Sequence, residues 1–252
     1  YLNTFVSSGN GMEKGIDGFF EVFLRKESVF FDKGVLQSSY IPENVLHREE
    51  QTKQAANILA PSLRGDKPSN MFVYGKTGTG KTLTIKYTTQ KLMEIANREN
   101  IPLKIIYINC KLKRSTDTEY RLVAQLAREL GKSIPPTGLP TEEVYRAFFR
   151  AINKQKQNYI IILDEIDQLI NKMGDNALYN LTRMNEEETK SHISIIGISN
   201  DIMFVDNLDP RVKSSLSEEE IIFPPYNALQ IQAILKQRAE IAFNKEVIEQ
   251  GV

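Results

Sequence analysis

Gly75-Lys76-Thr77-Gly78-Thr79-Gly80-Lys81-Thr82 meets the pattern G-x-x-x-x-G-K-[ST] in full. Its surroundings suit the pattern: Met71–Tyr74 reads as a short strand running in, and Lys81–Asn97 as a helix running out. The glycines let the backbone wrap closely and aim its N–H groups at phosphate oxygens. A helix beginning at Lys81 turns its positive dipole end toward the same anion. Lys81 is placed to bridge the β- and γ-phosphates of a nucleotide, and the Thr82 hydroxyl to ligate Mg²⁺. Gly75, Lys76, Thr77, Gly78, Thr79, Gly80, Lys81 and Thr82 are therefore all candidate nucleotide contacts.

Downstream, Ile160-Ile161-Ile162-Leu163-Asp164-Glu165-Ile166-Asp167 is an apolar strand that ends in acids. Asp164 is the candidate Mg²⁺ ligand, direct or through water, and Glu165 the group that polarises an attacking water. Ile195–Ser199 is a second buried strand, ending at Asn200. Asn200 either senses the γ-phosphate and lytic water or caps a turn. In Leu208-Asp209-Pro210-Arg211-Val212-Lys213-Ser214-Ser215, Arg211 is either an arginine finger for a neighbouring subunit or a surface arginine held by a salt bridge.

Five β-branched or apolar runs carry the strand signal: Met71–Tyr74, Ile105–Asn109, Tyr159–Leu163, Ile193–Ser199 and Ile221–Phe223. Helix-period stretches lie at about His47–Leu63, Lys81–Asn97, Thr118–Leu130, Thr141–Lys154, Ala177–Glu187 and Ala228–Phe243, the last capped by Asn227. Strands alternating with helices imply an α/β fold: a parallel five-stranded sheet with helices on both faces. The first forty residues differ. Ser7–Gly11 reads as a flexible leader, and Phe19–Leu24 and Val29–Phe31 are apolar patches of open secondary structure, either a partner-binding or DNA-proximal arm or a segment packed on the main body.

The 32 basic residues balance 32 acidic ones, so any nucleic-acid contact must be local rather than spread over the surface. The single cysteine, Cys110, excludes an internal disulfide framework and suits a reducing compartment. The longest apolar run, about five residues at Tyr159–Leu163, is far short of the ~20 that span a bilayer.

The ordered set of phosphate loop, Asp-Glu pair, asparagine and following arginine resembles an AAA+ P-loop ATPase. Further stretches are similar to the archaeal origin-recognition/cell-division-control initiator family: Tyr40–Glu49, Leu178–Arg183, Ile198–Asp201, Asp209–Ser214 and Phe223–Tyr226. The resemblance implies ATP or ADP with Mg²⁺ as ligands. It puts Val45 and His47, within Tyr40–Arg48, near the adenine, with Tyr226 and Arg238 as further nucleotide contacts. It also implies an inserted helical element, Asp117–Ile152, whose Tyr120, Arg121, Lys132, Thr137 and Gly138 contact DNA; a packed helical excursion is the other reading. The implied domains are an extension at 1–39, an ATPase base domain at 40–225 and the start of a helical lid at 226–252, with a winged-helix DNA-binding domain expected beyond.

The same resemblance implies a nucleotide-gated replication initiator with slow hydrolysis, in the cytoplasm with the nucleoid. Its partners would be duplex origin DNA, other initiator subunits across the ATP site and the replicative helicase, with no membrane. A clamp-loader-like or remodelling ATPase, or a non-hydrolysing nucleotide-bound scaffold, is the alternative. Ser215 departs from the family, many members of which carry a second arginine there.

Overall fold

The computed structural model of the chain describes residues 16–25, 28–37, 40–111, 118–183, 190–203, 208–216 and 218–244. In chain order its strands are β1 (Met71–Tyr74), β2 (Leu103–Asn109), β3 (Asn158–Asp164), β4 (His192–Ser199) and β5 (Glu219–Ile222). Its helices are α1 (Ile16–Arg25), α2 (Glu49–Leu59), α3 (Lys81–Arg98), α4 (Glu119–Glu129), α5 (Thr141–Ile152), α6 (Ile166–Met173), α7 (Asn176–Arg183), α8 (Pro210–Leu216) and α9 (Ala228–Ala242). The chain divides into two compact units, Ile41–Ile231 and Tyr1–Tyr40 with Gln232–Val252.

The larger unit is built on one sheet of order β2-β3-β4-β1-β5, parallel at every pairing. Period-two alternation sorts its side chains onto two faces. Phe72, Ile106, Ile108, Ile161, Leu163, Ile193 and Ile195 pack with residues of α4 to α8, among them Leu122, Phe148, Leu169, Leu181 and Val212. Met71, Val73, Ile160, Ile162, Ile196, Ile198 and Ile221 pack with Ala55 and Leu59 of α2 and Ile85 and Leu92 of α3. Both faces being covered explains why β3 is buried along its whole length and reads as an unbroken apolar run.

The departures from the sequence pattern have physical causes. β5 begins with the exposed Glu219 and Glu220, because an edge strand with solvent beside it tolerates carboxylates that a central strand does not. The helix expected over His47–Leu63 ends at Leu59. Pro61 lacks an N–H and cannot continue the α-helical bonding, so Ala60–Arg64 tightens into a 3₁₀ turn that stops at Gly65. Its start also slips, since His47 takes a left-handed φ of 59°. α6 was not expected at all; it begins immediately after Glu165 and is only eight residues long. Of the helix expected over Ala177–Glu187, α7 accounts for Asn176–Arg183, and residues 184–187 lie outside the described residues. Asn227 does cap α9: its Oδ1 accepts from Gln230 N at 2.9 Å while Gln230 Oε1 accepts from Asn227 N at 3.0 Å.

In the smaller unit, Phe19–Leu24 lies within α1, where Phe19, Phe20, Phe23 and Leu24 are exposed. Phe30 and Phe243 form an antiparallel bridge with ring centroids 4.9 Å apart. Phe31 N donates to Ala242 O at 2.9 Å, and Asn244 Nδ2 to Ser28 O at 2.7 Å. Residues Ser28–Asp32 are thus bound to the end of α9, a pairing the sequence did not suggest. The expected leader at Ser7–Gly11 lies outside the described residues. Among the described residues no helix is long and apolar enough to cross a membrane.

Candidate nucleotide site

Because β1, β3 and β4 run parallel in adjacent register, their carboxyl ends reach the same sheet edge. Tyr74 pairs with Ser199, and Asp164 with Ile198, so Gly75, Glu165 and Asn200 all emerge there. This is the edge at which open parallel sheets bind ligands.

Lys81, the first residue of α3, is 5% exposed. Its ammonium donates to Gly75 O at 2.8 Å, Lys76 O at 2.9 Å and Asn200 Oδ1 at 2.8 Å. All its acceptors are neutral. Burial lowers its pKa, opposed by the negative field of Asp164, then Asp167 and Glu165. A phosphate oxygen would be a stronger, charged acceptor for the same ammonium.

The Thr82 hydroxyl donates to Asp164 at 3.1 and 3.0 Å, which leaves its lone pairs free for a cation. Asp164 is buried and accepts two further bonds, from Glu165 N at 3.0 Å and Tyr107 Oη at 2.6 Å. Burial and the adjacent carboxylate push the Tyr107 phenol well above its ordinary pKa, so it remains a donor. Lys86 sits over the Tyr107 ring, 4.1 Å from the centroid. Among the described residues no group of three His, Cys, Asp or Glu side chains could hold a metal. Thr82 and Asp164 instead form the partial oxygen set that suits Mg²⁺, an ion that keeps several waters and takes the rest of its ligands from phosphates.

Glu165 occupies the left-handed region, φ 55° and ψ 46°, at the amino end of α6. That conformation costs a non-glycine residue about 1 kcal/mol. Its carboxylate lies 3.5 Å from the exposed Lys111 ammonium. Asp167, in the first turn of α6, accepts from Ser199 Oγ at 3.0 Å and so ties α6 to the end of β4. Burial pushes the Cys110 thiol up to about 12, which removes it as a nucleophile.

Two glycines of the loop have distinct reasons, close backbone approach at Gly75 and a left-handed φ of 86° at Gly80. A Cβ on Gly75 would lie 2.4 Å from Phe223 O, and one on Gly80 would lie 2.6 Å from Tyr226 Oη. On the segment before α2, Val45 is buried, and His47 Nε2 is the buried side-chain polar atom without a partner among the described residues. An orphaned polar atom of that kind leaves His47 able to bond an occupant of the site.

A model of the AAA domain matches residues 64–201. The chain is 50% identical over 241 residues to the ORC1-type DNA replication protein of Thermococcus onnurineus, covering 94% of this chain and 57% of that protein. It is 49% identical over 239 residues to the ORC1-type DNA replication protein 1 of Methanosarcina mazei, covering 95% and 57%. The chain belongs to the archaeal origin-recognition/cell-division-control family of AAA+ proteins. It spans a little over half the length of the curated relatives it matches. Among solved structures, the Aeropyrum pernix ORC1 protein in complex with DNA aligns with a TM-score of 0.82 and 42% identity, over 89% of this chain and 58% of that one. Cdc6p of Pyrobaculum aerophilum aligns with a TM-score of 0.72 at 24% identity, a likeness of fold.

Tyr226 lies against Gly80 of the loop, whereas Arg238 is on α9 in the smaller unit. Arg211, on α8, is exposed and bonded to Asp209 through Nε and Nη2, both at 3.0 Å, with its guanidinium 4.7 Å from the Tyr179 ring centroid. It is thus a salt-bridged surface arginine in this chain. Tyr120 Oη donates to Pro135 O at 2.7 Å, and Arg121 is partly buried on α4. Lys132, Thr137 and Gly138 are on the connection between α4 and α5, with Thr137 and Gly138 exposed. Leu122, Leu126, Val144 and Phe148 pack the inner faces of α4 and α5 into the core, while the connection and the outer faces of both helices, Glu142 and Arg146 among them, are exposed.

Tyr107 and Asp167 were not anticipated. Tyr107 sits two residues before the end of β2, and its relevance depends on β2 lying beside β3, which the sequence does not state. In Tyr107→Phe, isothermal titration should show the Mg²⁺ concentration needed for tight ADP binding rising about tenfold or more. ADP binding in excess chelator should stay at the wild-type level. Equal Mg²⁺ dependence in the two proteins would remove Tyr107 from the site.

Proposed function

We propose that the chain is the ATPase region of a DNA replication initiator, in which ATP or ADP with Mg²⁺ sets the grip on duplex origin DNA and the loading of a replicative helicase. The observation that carries the nucleotide part is the meeting of Lys81, Thr82, Asp164 and Asn200 at one sheet edge, joined by hydrogen bonds of 2.8 to 3.1 Å. The initiator part is supported by the 50% identity with an ORC1-type DNA replication protein.

In this reading the loop N–H groups and Lys81 hold the polyphosphate, Lys81 exchanging the carbonyls of Gly75 and Lys76 for phosphate oxygens. Thr82 and Asp164 would hold Mg²⁺, which would supply charge neutralisation for the polyphosphate. Glu165, fixed at the start of α6, accepts a proton from the attacking water. Asn200 orients that water or the γ-phosphate once Lys81 releases it. Val45 and His47 line the base end. Arg211 reaches a neighbouring subunit's site after leaving Asp209. Breaking that bidentate pair makes trans activation weak, in keeping with slow turnover and use as a switch. The connection between α4 and α5 touches DNA through Lys132, Thr137 and Gly138, next to Tyr120 and Arg121.

Calorimetry on Lys81→Ala should show ATP affinity collapsing, while Glu165→Gln keeps ATP binding and loses turnover; tight binding by the first or unchanged hydrolysis by the second contradicts these roles. Arg211→Ala, mixed with an unaltered partner subunit, should lower the partner's ATPase rate, and an unchanged rate would rule out the finger. For Lys132→Ala, anisotropy on duplex DNA should show weaker binding at every sequence and a salt slope reduced by about one. An unaltered slope would place the DNA contact elsewhere.

A further inference from the structure

Arg48 stands immediately before α2 and is 3% exposed, yet among the described residues no carboxylate bonds to it. Its guanidinium donates instead to carbonyls from three parts of the chain: Nε to Thr79 O at 2.8 Å, Nη1 to His47 O at 3.0 Å and Nη2 to Pro224 O at 2.6 Å. It also sits over the Tyr226 ring, 3.8 Å from the centroid, with the Phe223 ring at 5.6 Å. A cation withdrawn from water is tolerated only when its donors are satisfied, and a planar fork over aromatic faces satisfies them in one fixed geometry.

The four residues Phe223–Tyr226 abut both ends of the phosphate loop. Gly75 lies against Phe223 O, too close for any Cβ, and Gly80 lies beside the Tyr226 hydroxyl. Arg48 closes this arrangement by bonding Thr79, the residue before Gly80, to Pro224. Tyr226 is followed directly by Asn227, the cap of α9.

We propose that Arg48 is a positioning residue that latches the phosphate loop at Thr79 to the Phe223–Tyr226 strap, so that filling the loop with a polyphosphate is felt at the strap and in the residues Asn227–Ile231 that open α9. The inference rests on the nucleotide reading above and names the regulation of that same site. A polyphosphate in the loop supplies the counter-charge that Arg48 lacks. The bound state therefore favours the closed latch, and by reciprocity the closed latch favours binding. Lysine cannot replace Arg48, because a point charge neither spans the carbonyls of Thr79 and Pro224 together nor stacks on Tyr226.

Hydrogen exchange with and without ADP·Mg²⁺ tests the latch. In the unaltered chain, nucleotide should slow exchange both in the loop, residues 75–82, and at residues 226–231. In Arg48→Lys and Arg48→Ala the ADP affinity should fall about tenfold. At saturating ADP the loop should still be protected, while protection at 226–231 is lost. Tyr226→Leu should lose the same protection, and it carries the test with Arg48→Lys if the alanine variant does not fold. A purely structural arginine would lower the melting temperature without separating the two protections. Retained protection at 226–231 in Arg48→Lys and Tyr226→Leu overturns the latch. If the unaltered chain shows no loop protection with ADP, it is the nucleotide reading that fails.

Discussion

A single ammonium group taken out of water at the first turn of α3 sets the terms for the whole site. Lys81 has three donors and three acceptors, but the acceptors are two loop carbonyls and one amide oxygen, and none of them carries charge. The acids that hold it positive, Asp164, Asp167 and Glu165, act through the field rather than by contact. Such a group is stable enough to keep the loop folded and still gains by meeting an anion. The loop's shape and the charge it would offer a polyphosphate are thus one property.

The sheet turns that property into a site. Parallel pairing in the order β2-β3-β4-β1-β5 delivers Tyr107, Asp164, Asn200 and the loop to a single edge, though they come from distant parts of the chain. Local devices then fix each side chain. Asp164 receives bonds from three directions, and Ser199 pins Asp167 so that α6 cannot drift from β4. The left-handed backbone at Glu165 is tolerated because the buried β3 and the core residues Ile166 and Leu169 hold it from both sides.

Much of this could be read in the residues. Central strands buried on both faces announce themselves as apolar runs, and the phosphate loop announces its own chemistry, so the sheet and the Lys81, Thr82, Asp164 and Asn200 cluster were legible. What escaped depends on information that local pattern does not contain. Tyr107 matters through strand order. Arg48 acts on carbonyls, which every residue has, at Thr79 and at Pro224 far along the chain. α6 is too short for its periodicity to stand out, and only the first half of β5 escaped, because two glutamates that an edge strand can carry precede Ile221. Pro61 was visible, but its effect on the end of α2 was masked by the good helix formers around it.

The bond between Ser28–Asp32 and the end of α9 has a practical corollary for anyone dissecting the chain. The motifs begin only at Tyr40, which makes the preceding segment look dispensable. Cutting it away strips Phe243 of its ring partner and leaves the carbonyl of Ala242 without Phe31 and Asp32 as donors. A trimmed protein would retain its phosphate loop and begin to fray at the far end of α9.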